Sequence, residues 1–285
     1  MDVAKLVAVL KNAAVDINDI YGINQVRTPR LPLALVPTTA GTGSEVTPIS
    51  IVTTGESEKK GVVSNTLLPD FAILDPQLTI NLPPAVTAAS GVDAMVHAIE
   101  AYASANANNN PISQGLAIQA LKLLDGSIRQ AVATGHDKAA RSAMLLGSML
   151  AGQAFANSPV AAVHALAYPL GGLYGVTHGL SNALMLPHIL RFNCETHAEI
   201  YAEIVTQAFP QLGGGTAAER AAKLIAHLVD LLDTIHLQSR LRDLEIPESA
   251  CAELASAAMQ QTRLLVNNPR PLNEDDARSI YRAAW

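Results

Sequence analysis

Charge, aromatic side chains and cysteine are all scarce in this chain of 285 residues, and each scarcity excludes something. Charged residues make up 15% and the formal net charge is −6, with no long basic run. A nucleic-acid partner is therefore not expected, because phosphate binding needs a concentrated basic face. Two cysteines, Cys194 and Cys251, stand at no motif spacing. That argues against a disulfide framework and sets the cytoplasm as the expected compartment. No uninterrupted apolar run reaches the ~18 residues of a membrane span. The opening MDVAKLVAVLKNAAVD carries no basic region followed by a cleavage site, so it reads as an amphipathic helix. Neither G-x-G-x-x-G nor G-x-x-x-x-G-K-[ST] occurs anywhere. What remains is a chain 49% hydrophobic and only 4% aromatic, the balance of a helix-rich enzyme with a substantial core.

The hydrophobic period changes along the chain. Asp2 is placed to cap an opening helix whose inner face is Val3, Leu6, Val7 and Leu10. LPLALVP (31–37), ISIVTT (49–54), KKGVVS and FAILDP (71–76) read as short strands, with SNTLLPD (64–70) as a loop. From about residue 84 the period becomes helical. Ile112, Leu116, Ala120, Leu124, Ile128 and Val132 form an i, i+4 row. Residues 138–156 are apolar almost all round, which predicts a central buried helix. Leu224, Leu228, Leu231 and Ile235 mark another helix, and 248–262 and 273–284 complete the set, with Asn273 as a cap. GGG at 213–215 separates two helices. The fold class expected is an α/β N-terminal part, an incomplete Rossmann-like nucleotide-binding domain over 1–83, followed by an all-α metal-binding domain over 84–285.

Four residues carry the chemistry. Asp93 and His97 are four apart in GVDAMVHAIEAYAS, which puts them on one helix face, a turn apart. His164 opens HALAYPLGG and His178 lies in GVTHGLSNA. Three imidazoles and one carboxylate suit Fe2+, Zn2+ or Mn2+ and leave a net positive ion with an open position. A lone histidine in an apolar stretch is more often a core residue than a ligand. His136, His197, His227 and His236, in polar or amphipathic stretches, are given no ligand role, and His188 is read as structural. The loop TTAGTGSEVT (38–47) follows a strand, and its amides and hydroxyls are of the kind that surround phosphate oxygens. Taken alone, it reads first as an ordinary strand-to-turn loop. Lys59 and Lys60 read first as a charged strand edge.

Seven runs, in order and spread over nearly the whole chain, resemble the iron-containing (group III) alcohol dehydrogenase family. They are PTTAGTGSEVT (37–47), ILDPQLT (73–79), LPPAVTAASGVDAMVHAIEAY (82–102), HALAYPLGG (164–172), THGLSNALMLPH (177–188), NPR (268–270) and YRAAW (281–285). The resemblance implies a metal held by Asp93, His97, His164 and His178. It implies NAD or NADP contacts at Thr38, Thr39, Thr47, Ile49 and Lys60, and a pocket aromatic at Phe155. It implies hydride transfer between an alcohol and an aldehyde or ketone, with no catalytic residue beyond the metal ligands. The implied partner is a small-molecule alcohol or aldehyde, without nucleic acid or membrane, and a homo-oligomer is compatible with it.

Two departures accompany the resemblance. The family's GGGS pyrophosphate loop precedes the stretch that resembles MDVAK, so the chain reads as N-terminally truncated. A poor or inactive dehydrogenase is expected, with Leu6 and Leu10 exposed for want of sheet partners. Tyr168 stands where many members carry a further histidine, so a proton-relay role does not transfer. Two other functions use the same four ligands, a metal-dependent hydrolase and a non-catalytic metal-binding fragment. The first needs a carboxylate base beside the metal. None stands out: Glu100, three residues after His97, is not placed on the ligand face by that spacing.

Overall fold

The computed structural model describes residues 1–11, 15–55 and 58–285. Helix α1 (Asp2–Leu10) leads into five strands: β1 (Gly22–Ile23), β2 (Ala34–Leu35), β3 (Ile49–Thr54), β4 (Glu58–Val63) and β5 (Phe71–Ala72). β4 is the centre of a mixed sheet, parallel to β1 and antiparallel to β3, while β2 and β5 form a separate parallel pair. Everything from Pro84 onward is helical or connecting: α2 (Pro84–Ala103), α3 (Pro111–Ala133), α4 (Lys138–Asn157), α5 (Ala162–Tyr174), α6 (His178–Ala208), α7 (Ala217–Thr234), α8 (Ala250–Met259), α9 (Thr262–Leu265) and α10 (Glu274–Ala284). The α/β-then-helical order is the one expected. The strand expected over 31–37 shrinks to two residues, because Pro32 and Pro37 donate no ladder hydrogen bond.

Helix α1 departs from its expected role in two ways. Met1, not Asp2, occupies the cap position. The Asp2 carboxylate instead accepts from Ser44 Oγ at 2.5 Å and from the Ile51 amide at 2.7 Å, pinning the helix to β3. Leu6 is buried with Val9 against Ile20, Val26, Val62 and Leu67, and Leu10 packs partly buried against the same cluster. The large exposed residues of the helix are Val3 and Val7, one turn apart on the other side. The sheet and the loops around it suffice to cover Leu6.

Helix α2 is the central helix. Every residue from Gly91 to Ala103 is buried, and α3, α4 and α6 pack around it. The segment expected in that role, α4, is instead two-faced: Met144, Leu145, Gly147 and Ala151 are buried and Leu146 is 40% exposed. Alanine, glycine and serine on its inner face gave little polarity contrast, so its amphipathicity was invisible to a pattern of large apolar residues. The i, i+4 row on α3 also splits. Ala120, Leu124 and Ile128 are fully buried, whereas Ile112 at its start is exposed. Steps of four advance 400° and so drift 40° per step around a helix with 3.6 residues per turn. A row of six therefore leaves the buried face. Helix α7 buries Leu224, Leu228 and Leu231 as expected, behind a Thr216–Glu219 capping box. Asn273 caps α10 in the same way with Asp276.

Candidate metal centre and the loop beside it

Four donor side chains arrive from three helices. Asp93 and His97 sit mid-way along α2, His164 in the first turn of α5, and His178 is the first residue of α6. Their ligand atoms all lie within 4.8 Å of one another. His164 Nε2 is 3.9 Å and His178 Nε2 is 3.5 Å from Asp93 Oδ1. Bonds of 2.0–2.2 Å to one ion place tetrahedral ligands about 3.4 Å apart. The cluster thus needs only a slight contraction to close on an ion. Asp93, His97 and His164 are buried, while the His178 side chain is 39% exposed and marks the open side. Close approach of α2 and α6 makes this possible: a Cβ on Gly179 would fall 2.3 Å from the Ala89 carbonyl oxygen.

The donor set fits a cation on the evidence of Asn182, one turn along α6 from His178. Its amide nitrogen lies 2.6 Å from Asp93 Oδ1, 3.2 Å from His164 Nε2 and 3.3 Å from His178 Nε2. An amide nitrogen carries two hydrogens, so three converging acceptors exceed what it can satisfy. Its own Oδ1 is buried without a hydrogen-bond partner among the described residues. An excess of buried acceptors aimed at one point is what a metal ion resolves. The electrostatics agree. Burial holds the His97 imidazole down to about 3, with Asp93 opposing that shift, so this ring is neutral and free to donate a lone pair. Burial pushes the Asp93 carboxyl up, but the surrounding imidazoles and the Asn182 amide outweigh it and hold the group below the usual range.

The surroundings of the cluster are partly aromatic. The Phe155 ring stacks on His97 with centroids 4.4 Å apart, and Tyr168 tilts against His178 at 5.9 Å. Burial raises the Tyr168 phenol above its ordinary value. Phe155 therefore stands beside the metal cluster, where the family resemblance puts a pocket residue.

The TTAGTG loop abuts the cluster directly. The carbonyl of Gly41 accepts from His97 Nδ1 at 3.2 Å. Thr38 is exposed and Thr39 half-buried, three and two residues before that contact. Gly43 adopts φ +57°, and a Cβ there would sit 2.5 Å from the Cα of Gly152 in α4. The other cofactor candidates lie further along the chain. The buried Lys5 ammonium donates to the Thr47 carbonyl at 2.8 Å, to Thr47 Oγ1 at 3.2 Å and to the Ile49 carbonyl at 2.8 Å. Thr47 is thus buried, its side chain shared with a lysine that sequence reading had overlooked. Lys60 lies on β4 opposite Val52, with its ammonium 5.3 Å from the centroid of the Tyr21 ring.

Two residues at the centre were missed from sequence. Glu100 is buried and hydrogen-bonded to His164. Its signal was its spacing from Asp93, not from His97: seven residues is 700°, within ~20° of two full turns. Glu100, which its spacing from His97 did not place on the ligand face, therefore stands at the cluster. Both of its oxygens are engaged, with His164 Nδ1 and the Val163 amide, so it does not serve the free general base that a hydrolase requires. Asn182 had a similar signal, four residues after His178 on the same helix face.

Residues 87–285 match the C-terminal model of the Fe-containing alcohol dehydrogenase family, and residues 1–76 match the iron-containing alcohol dehydrogenase model. Long-chain-alcohol dehydrogenase 1 of Geobacillus thermodenitrificans is 44% identical over 100% of this chain and 72% of its own length. The crystal structure of a 1,3-propanediol oxidoreductase superposes with a TM-score of 0.94 at 38% identity, over 100% of this chain and 74% of that one. Sulfoacetaldehyde reductase from Bifidobacterium kashiwanohense, solved in complex with NAD+, superposes at 0.88 with 31% identity, over 99% and 73%. The chain belongs to the iron-containing alcohol dehydrogenase family.

Proposed function

We propose that the chain serves a metal-dependent, NAD(P)-linked alcohol dehydrogenase that interconverts a small alcohol and its aldehyde or ketone. The observation that carries the reading is the convergence of Asp93, His97, His164 and His178 within 4.8 Å. In this reading those four hold Fe2+, with Zn2+ or Mn2+ as substitutes compatible with the same donors. When bound, the metal supplies Lewis acidity toward a substrate oxygen and the nicotinamide accepts or returns hydride. The chain's own residues do the rest. The exposed edge of His178 leaves the side from which substrate enters, and Phe155 and Tyr168 wall the approach. The Gly41 carbonyl holds His97 so that its Nε2 faces inward. Thr38 and Thr39 take the dinucleotide on the outer part of the loop, while Ile49 on β3 and Lys60 on β4 complete its contacts and Thr47, buried just before β3 and bound to Lys5, supports them from behind.

The proposal divides the chain at 83/84. The small cluster around Leu6 and Val62 belongs to the nucleotide-binding side, and the large helical core to the metal side. A reducing, cytoplasmic setting is supported by two free cysteines, one buried and one half-buried. No described helix is long and apolar enough to cross a membrane. The test is a nicotinamide-reduction assay on metal-loaded protein with a panel of primary alcohols and diols, run beside the Asp93→Ala variant. Slow but metal-dependent turnover by the parent and none by the variant is expected. Equal turnover with and without metal would refute the assignment.

A further inference from the structure

The three histidines of the cluster are not equivalent, and the difference lies behind them. His97 rests its Nδ1 on a neutral backbone carbonyl, that of Gly41. His164 rests its Nδ1 on a carboxylate: Glu100 Oε2 is 2.6 Å away, in a site where both side chains are about 95% buried or more. The second oxygen of Glu100 accepts from the Val163 amide, also at 2.6 Å. The opposite ring nitrogen, His164 Nε2, points at Asp93 Oδ1 and Asn182 Nδ2. His164 is thus suspended between two buried acids, one on each side of its ring.

From this arrangement we infer that Glu100 is a positioning residue, which fixes His164 as the Nδ1–H tautomer and makes it a stronger nitrogen donor than His97. The inference rests on the metal reading given above. Two oxygens facing two N–H groups leave the carboxylate no freedom to turn, so the imidazole is held in both rotation and tautomer. A carboxylate behind an imidazole also raises its basicity toward a metal, a partnership worth about 10–100-fold in affinity. Its charge matters as well. Asp93 and Glu100 together supply two negative charges, which balance a dication in a site buried on every side but that of His178. A carbonyl in place of Glu100, as His97 has, would leave that balance one charge short.

An isosteric amide cannot substitute. In Glu100→Gln, if the amide nitrogen faces His164 it donates to Nδ1, forces the ring proton onto Nε2 and blocks the lone pair aimed into the cluster. If it faces Val163 instead, two N–H groups oppose each other in a buried site.

The experiment uses the full chain. Zn2+ affinity is measured by competition with a chromophoric chelator, and the tautomer of His164 by nitrogen NMR of 15N-histidine-labelled protein. In the parent we expect one tight Zn2+ and the Nδ1–H tautomer. In Glu100→Gln we expect affinity lower by about 10–100-fold, with the tautomer changed or exchanging. Helical circular dichroism is expected to be retained. A merely structural role for Glu100 would lower the melting temperature without moving the tautomer. Zn2+ affinity within about twofold of the parent would overturn the inference, as would an Nε2–H tautomer in the parent, a measurement that needs no variant to fold. If the parent itself binds no Zn2+, the metal reading fails, and the tautomer still decides what Glu100 does to His164.

Discussion

The carbonyl oxygen of Gly41 lies 3.2 Å from Nδ1 of His97, so the small-residue loop and the metal cluster are mechanically one unit. A carbonyl can only accept, which places the His97 proton on Nδ1 and leaves Nε2 free. Gly41 reaches this position because it has no side chain: a Cβ would fall 2.9 Å from Ser90 Cβ and 3.0 Å from the Ser90 carbonyl oxygen. Gly41→Ala must therefore push the loop off α2 and loosen His97. Metal affinity is expected to drop by about tenfold, the lower end of what loss of a supporting hydrogen bond causes. Chelator competition measures it, and an affinity equal to the parent's would show that the contact is incidental.

Gly43 sets a second test, with an internal control of opposite sign. Its left-handed backbone costs a residue with a Cβ about 1–2 kcal/mol. Its Cβ would also meet the backbone of Gly152 at 2.5 Å, a contact that no rotamer relieves. Gly43→Ala should lower the unfolding free energy by about 2–4 kcal/mol. Gly126 is exposed within α3, with nothing within 4 Å of a built Cβ. Gly126→Ala should raise stability by about 0.5–1 kcal/mol. Urea denaturation of the two variants separates the cases. Equal small changes would mean that the loop does not press on α4.

The metal cluster was legible because its residue types are rare in apolar helices and because motif order carried them. Asp93 and His97 needed only helical spacing. His164 and His178 could be joined to them only through the family pattern, since no periodicity links residues about seventy positions apart. The residues behind the ligands were not legible in the same way. A glutamate next to a helical His pattern looks solvated until the packing of α5 is known. An asparagine beside a glycine and a serine looks like a helix start. The fold was read well where large apolar residues stood against polar ones, as in α7. It was misread where the buried face is alanine and glycine, as in α4, because such faces show contrast only in volume. The chemistry of Lys5 was hidden for a related reason: its helix looked simply amphipathic, and its nearest oxygen partners are backbone carbonyls 42 and 44 residues away.

That lysine supplies a pH signature. Burial lowers the Lys5 ammonium from 10.5 to about 8, against the pull of Asp2 and Glu45. Below pH 8 both folded and unfolded chains carry the proton, and the full cost of burying the charge is present. Between about pH 8 and 10.5 the unfolded chain holds a proton that the folded chain has released. Stability contributed by this group therefore rises with pH through that window. The gain is of the order of a few kcal/mol at most. Lys5→Met should remove the rise while leaving two carbonyls without their donor, so the variant is weaker at every pH and flatter between 8 and 10.5. Unfolding free energies at pH 7.5, 9 and 10 for both proteins, compared as differences, check this. A parallel pair of curves would show that the group does not titrate there.

His178 separates metal binding from folding. Its side chain is 39% exposed, against 4% or less for Asp93 and His164, so truncation opens little buried space. His178→Ala should change the stability of metal-free protein by less than about 1 kcal/mol. It should nonetheless remove one of four ligands, and with it the stabilisation that a bound ion confers. For the parent that stabilisation is about 2.7 kcal/mol when free Zn2+ stands at a hundred times its dissociation constant. Thermal melting of both proteins, first with a chelator and then with Zn2+, gives the comparison. Parent and variant are expected to melt together in chelator and apart in Zn2+, the parent several degrees higher. The same Zn2+-dependent rise in both would place the ion somewhere other than this cluster. Asp93→Ala serves as the contrasting variant. It removes a buried ligand, so it should lose the ion and also melt lower in chelator, because the carboxylate that accepts from Asn182 is gone.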